Sequence, residues 1–175
     1  MVLQRDTTVA IWGQALPESI VYLSPSWGNI IKVKSDSNGF WKAFSETTND
    51  QKNHSLRIKS GKDKIFINNI LLGEVWLASG QSNMEMNFDY CCNSTDSAKH
   101  VLQNDMFKNI RMFNVKKRYS LNYSSGIQGR WVEAVKDSIK SFSAVGYFFA
   151  KKLHNTLGVP IGIIHASWGG SDVES

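Results

Sequence analysis

The 175-residue sequence predicts a small all-β unit, residues 1–70, followed by an α/β unit, residues 71–175. Two observations carry this reading. Up to about residue 70, short apolar runs alternate with turn residues at close intervals, the rhythm of a small β-sandwich. Beyond Ile70 the rhythm becomes strand, helix, strand, the pattern of a parallel sheet with covering helices. With 42% hydrophobic, 11% aromatic and 20% charged residues, the composition is that of a globular chain, and the length allows one ordinary core or two small ones.

In chain order, strands are predicted at Thr8–Trp12, closed by Gly13, at Ser19–Leu23 before Ser24-Pro25, and at Ile30–Val33. Asp36-Ser-Asn-Gly39 is a turn signal ahead of a strand at Phe40–Phe44. His54–Ile58 and Ile65–Ile67 follow, separated by Ser60-Gly61. Trp12, Trp27 and Trp41 are expected as core or edge aromatics, with sugar stacking the alternative. In the second unit, Val75–Ala78 and Ile110–Val115 read as strands, Asp96–Asn104 as a helix, and Gln128–Glu133 as a segment packing Trp131. Phe142, Val145, Phe148, Phe149 and Leu153 recur at helical spacing. They predict a helix over Ser141–Leu157, capped by Ser141 and stopped by Gly158 and Pro160. Ile161–Ala166 supplies the next strand.

The stretch Gly73–Met86, G-E-V-W-L-A-S-G-Q-S-N-M-E-M, sets the chemistry. An apolar strand runs out at Ser79-Gly80, Ser82 follows at the turn, and the next residues can begin a helix. A serine there projects from a rigid element, and turn amides can stabilise an oxyanion. The same string also fits a plain strand-to-loop turn. Ile161–Ser171, I-G-I-I-H-A-S-W-G-G-S, is a second apolar strand ending in glycines. Two such strands suggest loops gathered at one edge of a parallel sheet, where open α/β sheets bind ligands.

Together, G-Q-S-N-M and S-W-G-G-S resemble the sialate O-acetylesterase family, a branch of the SGNH (GDSL-like) hydrolases. The opening M-V-L-Q-R-D…V-A-I-W-G, the block L-L-G-E-V-W-L-A-S-G-Q-S-N-M, and S-F-S-A-V-G-Y-F-F-A-K-K-L…G-V-P-I-G-I-I resemble it in the same order. Only Phe88–Gly129 matches loosely. The resemblance implies a partial SGNH-hydrolase domain, flavodoxin-like with a three-layer parallel sheet, preceded by a jelly-roll-like β-sandwich. It also implies removal of O-acetyl esters from sialic acid or related sugars. Ser82 would be the nucleophile, and the oxyanion donors would be the N–H of Ser82 and one from Gly169 or Gly170.

The family's base comes from a Q-G-E block and an Asp-x-x-His pair, and neither string occurs here. The resemblance therefore implies an N-terminal fragment, inactive alone, whose sheet is completed by a C-terminal half. Such a fragment would leave apolar faces open. His54, His100, His154 and His165 lack that context; His165 reads as a strand histidine, with a self-contained esterase using it as base the lesser alternative. Asp172 and Glu174 read as capping residues, and Asn83, Met84 and Glu85 as fixing the turn and helix start. A non-catalytic carbohydrate-binding protein that uses the β-sandwich is the competing class.

The net charge of +5 is dispersed, with Lys116-Lys117-Arg118 the one tight cluster. It is expected to be a solvated face and not a nucleic-acid contact. No apolar run approaches the roughly 20 residues of a membrane span. Met1–Trp12 lacks the pattern of a signal peptide, while the resemblance favours a secreted, lysosomal or periplasmic setting. Cys91 and Cys92 are adjacent, which disfavours a mutual disulfide. Asn53-His-Ser, Asn93-Ser-Thr and Asn122-Tyr-Ser are glycosylation acceptor strings. No metal-ligand spacing or phosphate loop is present, and no cofactor is expected.

Overall fold

The computed structural model describes residues 1–91, 95–119 and 126–170. The chain is mixed α/β and divides into two compact units: Val2–Gly73, and Glu74 onward together with Met1. Cys92, Asn93, Asn122, Asp172 and Glu174, singled out above, lie outside the described residues, as does the side chain of Cys91.

The first unit contains β1 (Val2–Gln4), β2 (Thr8–Gln14), β3 (Ile20–Pro25), β4 (Ile31–Lys34), β5 (Phe40–Glu46), β6 (His54–Ser60) and the start of β7 (Asp63–Gly80). Antiparallel pairing gives the order β4-β3-β6-β7, β1 runs parallel to β7, and β2 pairs antiparallel with β5. In β5, Trp41, Ala43 and Ser45 point inward and their neighbours outward, the two-residue period of a strand. The turn before it forms as the sequence predicts. The Asp36 carboxylate accepts the N–H groups of Asn38 (2.8 Å) and Phe40 (2.9 Å). Gly39 takes φ 83°, and a Cβ there would lie 2.3 Å from the Ala15 carbonyl oxygen. Trp27 and Trp41 are buried, and the Trp27 indole donates to Ser45 Oγ at 3.1 Å, whereas Trp12 is 60% exposed.

The second unit begins with residues 74–80 of β7. It continues through α1 (Ser82–Glu85), α2 (Phe88–Cys91), α3 (Asp96–Asn104), β8 (Met106–Asn114), β9 (Trp131–Val135), α4 (Lys136–Lys140), α5 (Ala144–Leu157) and β10 (Ile161–Ser167). The strands lie in the order β7-β10-β8-β9. β7, β10 and β8 are mutually parallel, as expected, but β9 runs antiparallel to β8 and closes that edge.

Ile110, Met112, Ile161, Ile163 and Ala78 from the strands meet Phe88, Ala98, Val101, Ile139, Phe142, Tyr147 and Ala150 from the helical segments in one buried cluster. Because side chains alternate across a sheet, these strand residues share a face. Leu77, on the opposite face, is 66% exposed. Among the described residues the expected three layers are therefore two.

Helix α3 spans the predicted residues, and Thr95 caps it by accepting the Ala98 N–H. Helix α5 begins later than predicted. Its cap is Ser143, whose hydroxyl accepts the Gly146 N–H at 3.0 Å, and Phe142 is buried in the segment just before it. Periodicity placed Phe142 on the helix because a buried residue just before the cap, three positions ahead of Val145, fits the same spacing. Gly158 ends the helix at φ 67° and donates its N–H to the His154 carbonyl at 2.9 Å. No helix among the described residues is long and apolar enough to cross a membrane.

A buried polar network ties α3 to α5. The Asp105 carboxylate accepts the Tyr147 hydroxyl (2.5 Å) and the Lys151 ammonium (2.6 Å). Burial and the adjacent carboxylate push the Tyr147 hydroxyl far above its usual range, so it serves as a permanent donor. Removing the shared acceptor leaves both donors without their partner. Asp105→Ala is expected to lose about 3 kcal/mol of unfolding free energy, in the range for breaking one side of a buried pair. Asp105→Asn keeps an acceptor and should lose about half of that. Urea denaturation checks both, and an Ala variant as stable as the parent would contradict the anchoring role.

Candidate active site

β7 and β10 are paired in register from Ile161↔Glu74 to Ser167↔Gly80. Both strands therefore end at one level, and the Trp168 N–H extends the pairing by donating to the Gly80 carbonyl at 3.0 Å. Gly80 takes φ 141° and releases the chain into α1. The Gln81 carbonyl accepts the N–H groups of Met84 (3.1 Å) and Glu85 (3.0 Å), which makes Ser82 the first helical residue, with its side chain exposed. Met84 packs on the core, and the Met86 carbonyl accepts the Ala144 N–H at 2.9 Å, so the turn carrying Ser82 is tied to α5.

The S-W-G-G segment lies against this turn. A Cβ on Gly169 would sit 3.4 Å from both Cα and Cβ of Ser82 and 2.8 Å from Glu85 Oε2. Gly170, one residue on, adopts φ 78°. The structure thus brings Ser82 and Gly169 together. It also donates the Gly169 N–H to the Glu85 carboxylate, which is not a partner the sequence suggested. The other oxygen of Glu85 is paired with Lys117, whose ammonium also lies 5.6 Å from the centre of the Trp168 ring.

The Lys116-Lys117-Arg118 cluster is exposed, as the sequence suggested, and Lys117 adds a contact to Glu85 that it did not suggest. Its backbone follows β8, where the Val115 N–H donates to the His165 carbonyl at 2.9 Å and the Lys116 N–H to the Gln128 carbonyl at 2.8 Å. Charge clustering alone carries no signal of this, because the contact depends on β8 ending beside β10. Three parallel strands thus deliver Ser82, Gly169 and Lys117 to one edge, where open α/β sheets place their ligands. A hollow of about 360 Å³ lined by Ser82, Glu85, Met86, Asn87 and Tyr90 opens there.

The ring nitrogens of His165 engage other groups. Its Nδ1–H donates to Asn114 Oδ1 at 2.9 Å, and Nε2 pairs with the Ser167 hydroxyl. Burial, reinforced by the positive charge of Lys117 and opposed by the Met84 backbone, holds the ring below the ordinary histidine pKa. Asn83 is exposed on α1. Among the described residues no side chain hydrogen-bonds the Ser82 hydroxyl, and no cluster of His, Cys, Asp and Glu could hold a metal ion.

No family model matches the chain. It is 26% identical to human sialate O-acetylesterase over 199 residues, covering 100% of this chain and 36% of that protein. With the mouse sialate O-acetylesterase it shares 27% over 201 residues, 99% of this chain and 35% of the relative. Its fold matches the crystal structure of a carbohydrate acetylesterase from Xanthomonas citri with a TM-score of 0.88 and 35% identity, covering 99% of this chain and 39% of that one. The chain thus spans a little over a third of the length of these relatives. Over its own length the chain has the fold of a carbohydrate acetylesterase. The curated relatives it resembles over its whole length are sialate O-acetylesterases.

The lowered pKa of His165 has a sign that can be checked. The unfolded chain takes up the proton more readily, so the contribution of the neutral ring is fully present above about pH 6.5 and is lost as pH falls through the folded pKa. Between pH 7.5 and 5.5 the parent should therefore lose more unfolding free energy than His165→Asn. Equal losses in urea titrations would contradict the half-buried ring with a lowered pKa.

Proposed function

We propose that the whole protein containing this chain is a serine esterase that removes O-acetyl groups from sialic acid or a related sugar. The Ser82 oxygen attacks the acetyl carbonyl as a base takes its proton, and the sugar hydroxyl leaves with a proton. Water then attacks the acetyl-enzyme, releasing acetate and restoring the hydroxyl. The carrying observation is that Ser82, exposed at a strand-to-helix turn, lies beside the glycine turn that ends the parallel neighbour strand.

The oxyanion would be held by the Ser82 N–H and an N–H of the glycine turn, each donor contributing on the order of 3 kcal/mol to lowering the barrier. Since the Gly169 N–H is donated to Glu85, Gly170 is the favoured second donor. The base would come from outside this sequence, as an Asp-x-x-His pair, since none of the four histidines hydrogen-bonds Ser82. In this reading the second unit is the first part of an SGNH-type domain, and the first is a β-sandwich preceding it.

In the full gene product, Ser82→Ala should lower kcat/KM for 4-nitrophenyl acetate by at least about 10³-fold, and the 175-residue polypeptide alone should turn over about 10⁴-fold more slowly than the full product. Turnover that survives Ser82→Ala would overturn the assignment.

A second reading, carbohydrate binding by the first unit, is favoured by one patch. Phe40 and Phe44 alternate outward on β5, and the exposed Trp12 is registered opposite Lys42 between them. Outward aromatics on one strand face suit sugar stacking. Glycan binding retained in Ser82→Ala and lost in Trp12→Ala would support it.

A further inference from the structure

We propose that Glu85 is a positioning residue of this site: clamped by Lys117, its carboxylate holds the Gly169 N–H and fixes the glycine turn against Ser82. The inference rests on the esterase reading. Glu85 stands three residues after Ser82 on α1, and that spacing puts both side chains on one side of the turn. Its two oxygens have separate partners, the Gly169 N–H on Oε2 and the Lys117 ammonium on Oε1.

Lys117 also lies over the ring of Trp168, the residue before Gly169, so one cation touches both the carboxylate and the segment it holds. Gly169 leaves room for the approach, since a Cβ there would come to 2.8 Å from Oε2 and the carboxylate would have to shift. All of these groups meet where β7, β8 and β10 end together.

Magnitudes separate a positioning role from a merely stabilising one. The Lys117 and Glu85 side chains are 42% and 31% exposed, and ion pairs this open contribute little to folding. A charge-assisted bond from a backbone N–H to a carboxylate is directional and strong for its kind. Losing it should let the turn shift by about 1 Å. That scale of misplacement can lower a rate by about 100-fold while leaving the fold intact. With the Gly169 N–H engaged by Glu85, the turn would offer its next N–H, that of Gly170, to the oxyanion. Glu85 would then act through the turn and not on the substrate.

The test uses the full gene product and 4-nitrophenyl acetate. Glu85→Ala should lower kcat by about 100-fold with KM within about threefold. Glu85→Gln, whose amide oxygen can still accept the Gly169 N–H, should recover about a tenth or more of the parent kcat. Lys117→Met, which leaves the carboxylate but removes its clamp, should lower kcat by about tenfold. Lys99→Met, at an exposed helical pair, serves as the unchanged control.

The readout independent of turnover is the backbone amide resonance of Gly169 in a glycine-labelled sample. It should move upfield in Glu85→Ala and stay in place in Ser82→Ala. An unmoved Gly169 resonance, or a Glu85→Ala kcat within threefold of the parent, overturns the proposal. If Glu85→Ala fails to fold, an unchanged kcat in Lys117→Met does so. Activity surviving in Ser82→Ala would sink the esterase reading instead, leaving the amide shift to judge the Glu85 contact by itself.

Discussion

The parallel register between β7 and β10 is the constraint on which the candidate site depends. With Gly80 opposite Ser167, the turns that follow start at the same height, and the bond from Trp168 to Gly80 keeps them together. A slip of one residue would exchange the two faces of β10. Ile161 and Ile163 would leave the core, and His165 would leave Phe142, whose ring centre lies 5.5 Å away. Burial of the isoleucines therefore also sets the position of Gly169. The pairing of β10 with β8, out to His165↔Asn114, extends the same control to the segment carrying Lys117.

The electrostatics at this edge are unequal. One cation, Lys117, serves Glu85 and Trp168 and also disfavours protonation of His165. The His165 ring is held neutral between Asn114 and Ser167, where its nitrogens support strand ends. Ser82 stays exposed beside a hollow without a described hydrogen-bonding partner for its hydroxyl. The proposed role of Ser82 as nucleophile requires a proton acceptor, and none among the described residues is hydrogen-bonded to it.

Much of this was legible in the residues because strands and caps are local. The Asp36–Gly39 turn, the helix at Asp96–Asn104 and the strand entering Ser167 each follow from spacing and a cap or turn residue. Residues 63–80 were less legible. They form one strand, although the sequence suggested two short ones at Ile65–Ile67 and Val75–Ala78, and Asn69 takes φ 58° inside it. The short helix at 136–140 lacks the length to show periodicity. The Glu85–Gly169 and Lys117–Glu85 contacts link positions 84 and 32 residues apart, and no local pattern encodes them. Only the strand order brings them together.

The most direct test is covalent. The full gene product would be treated with a fluorophosphonate, which reacts with activated serines, digested, and mapped by mass spectrometry. Activation of Ser82 by the turn and an external base predicts a single adduct on Ser82. An adduct on another serine, or none in a preparation that hydrolyses acetyl esters, would contradict Ser82 as the nucleophile and the converging turns as the catalytic centre.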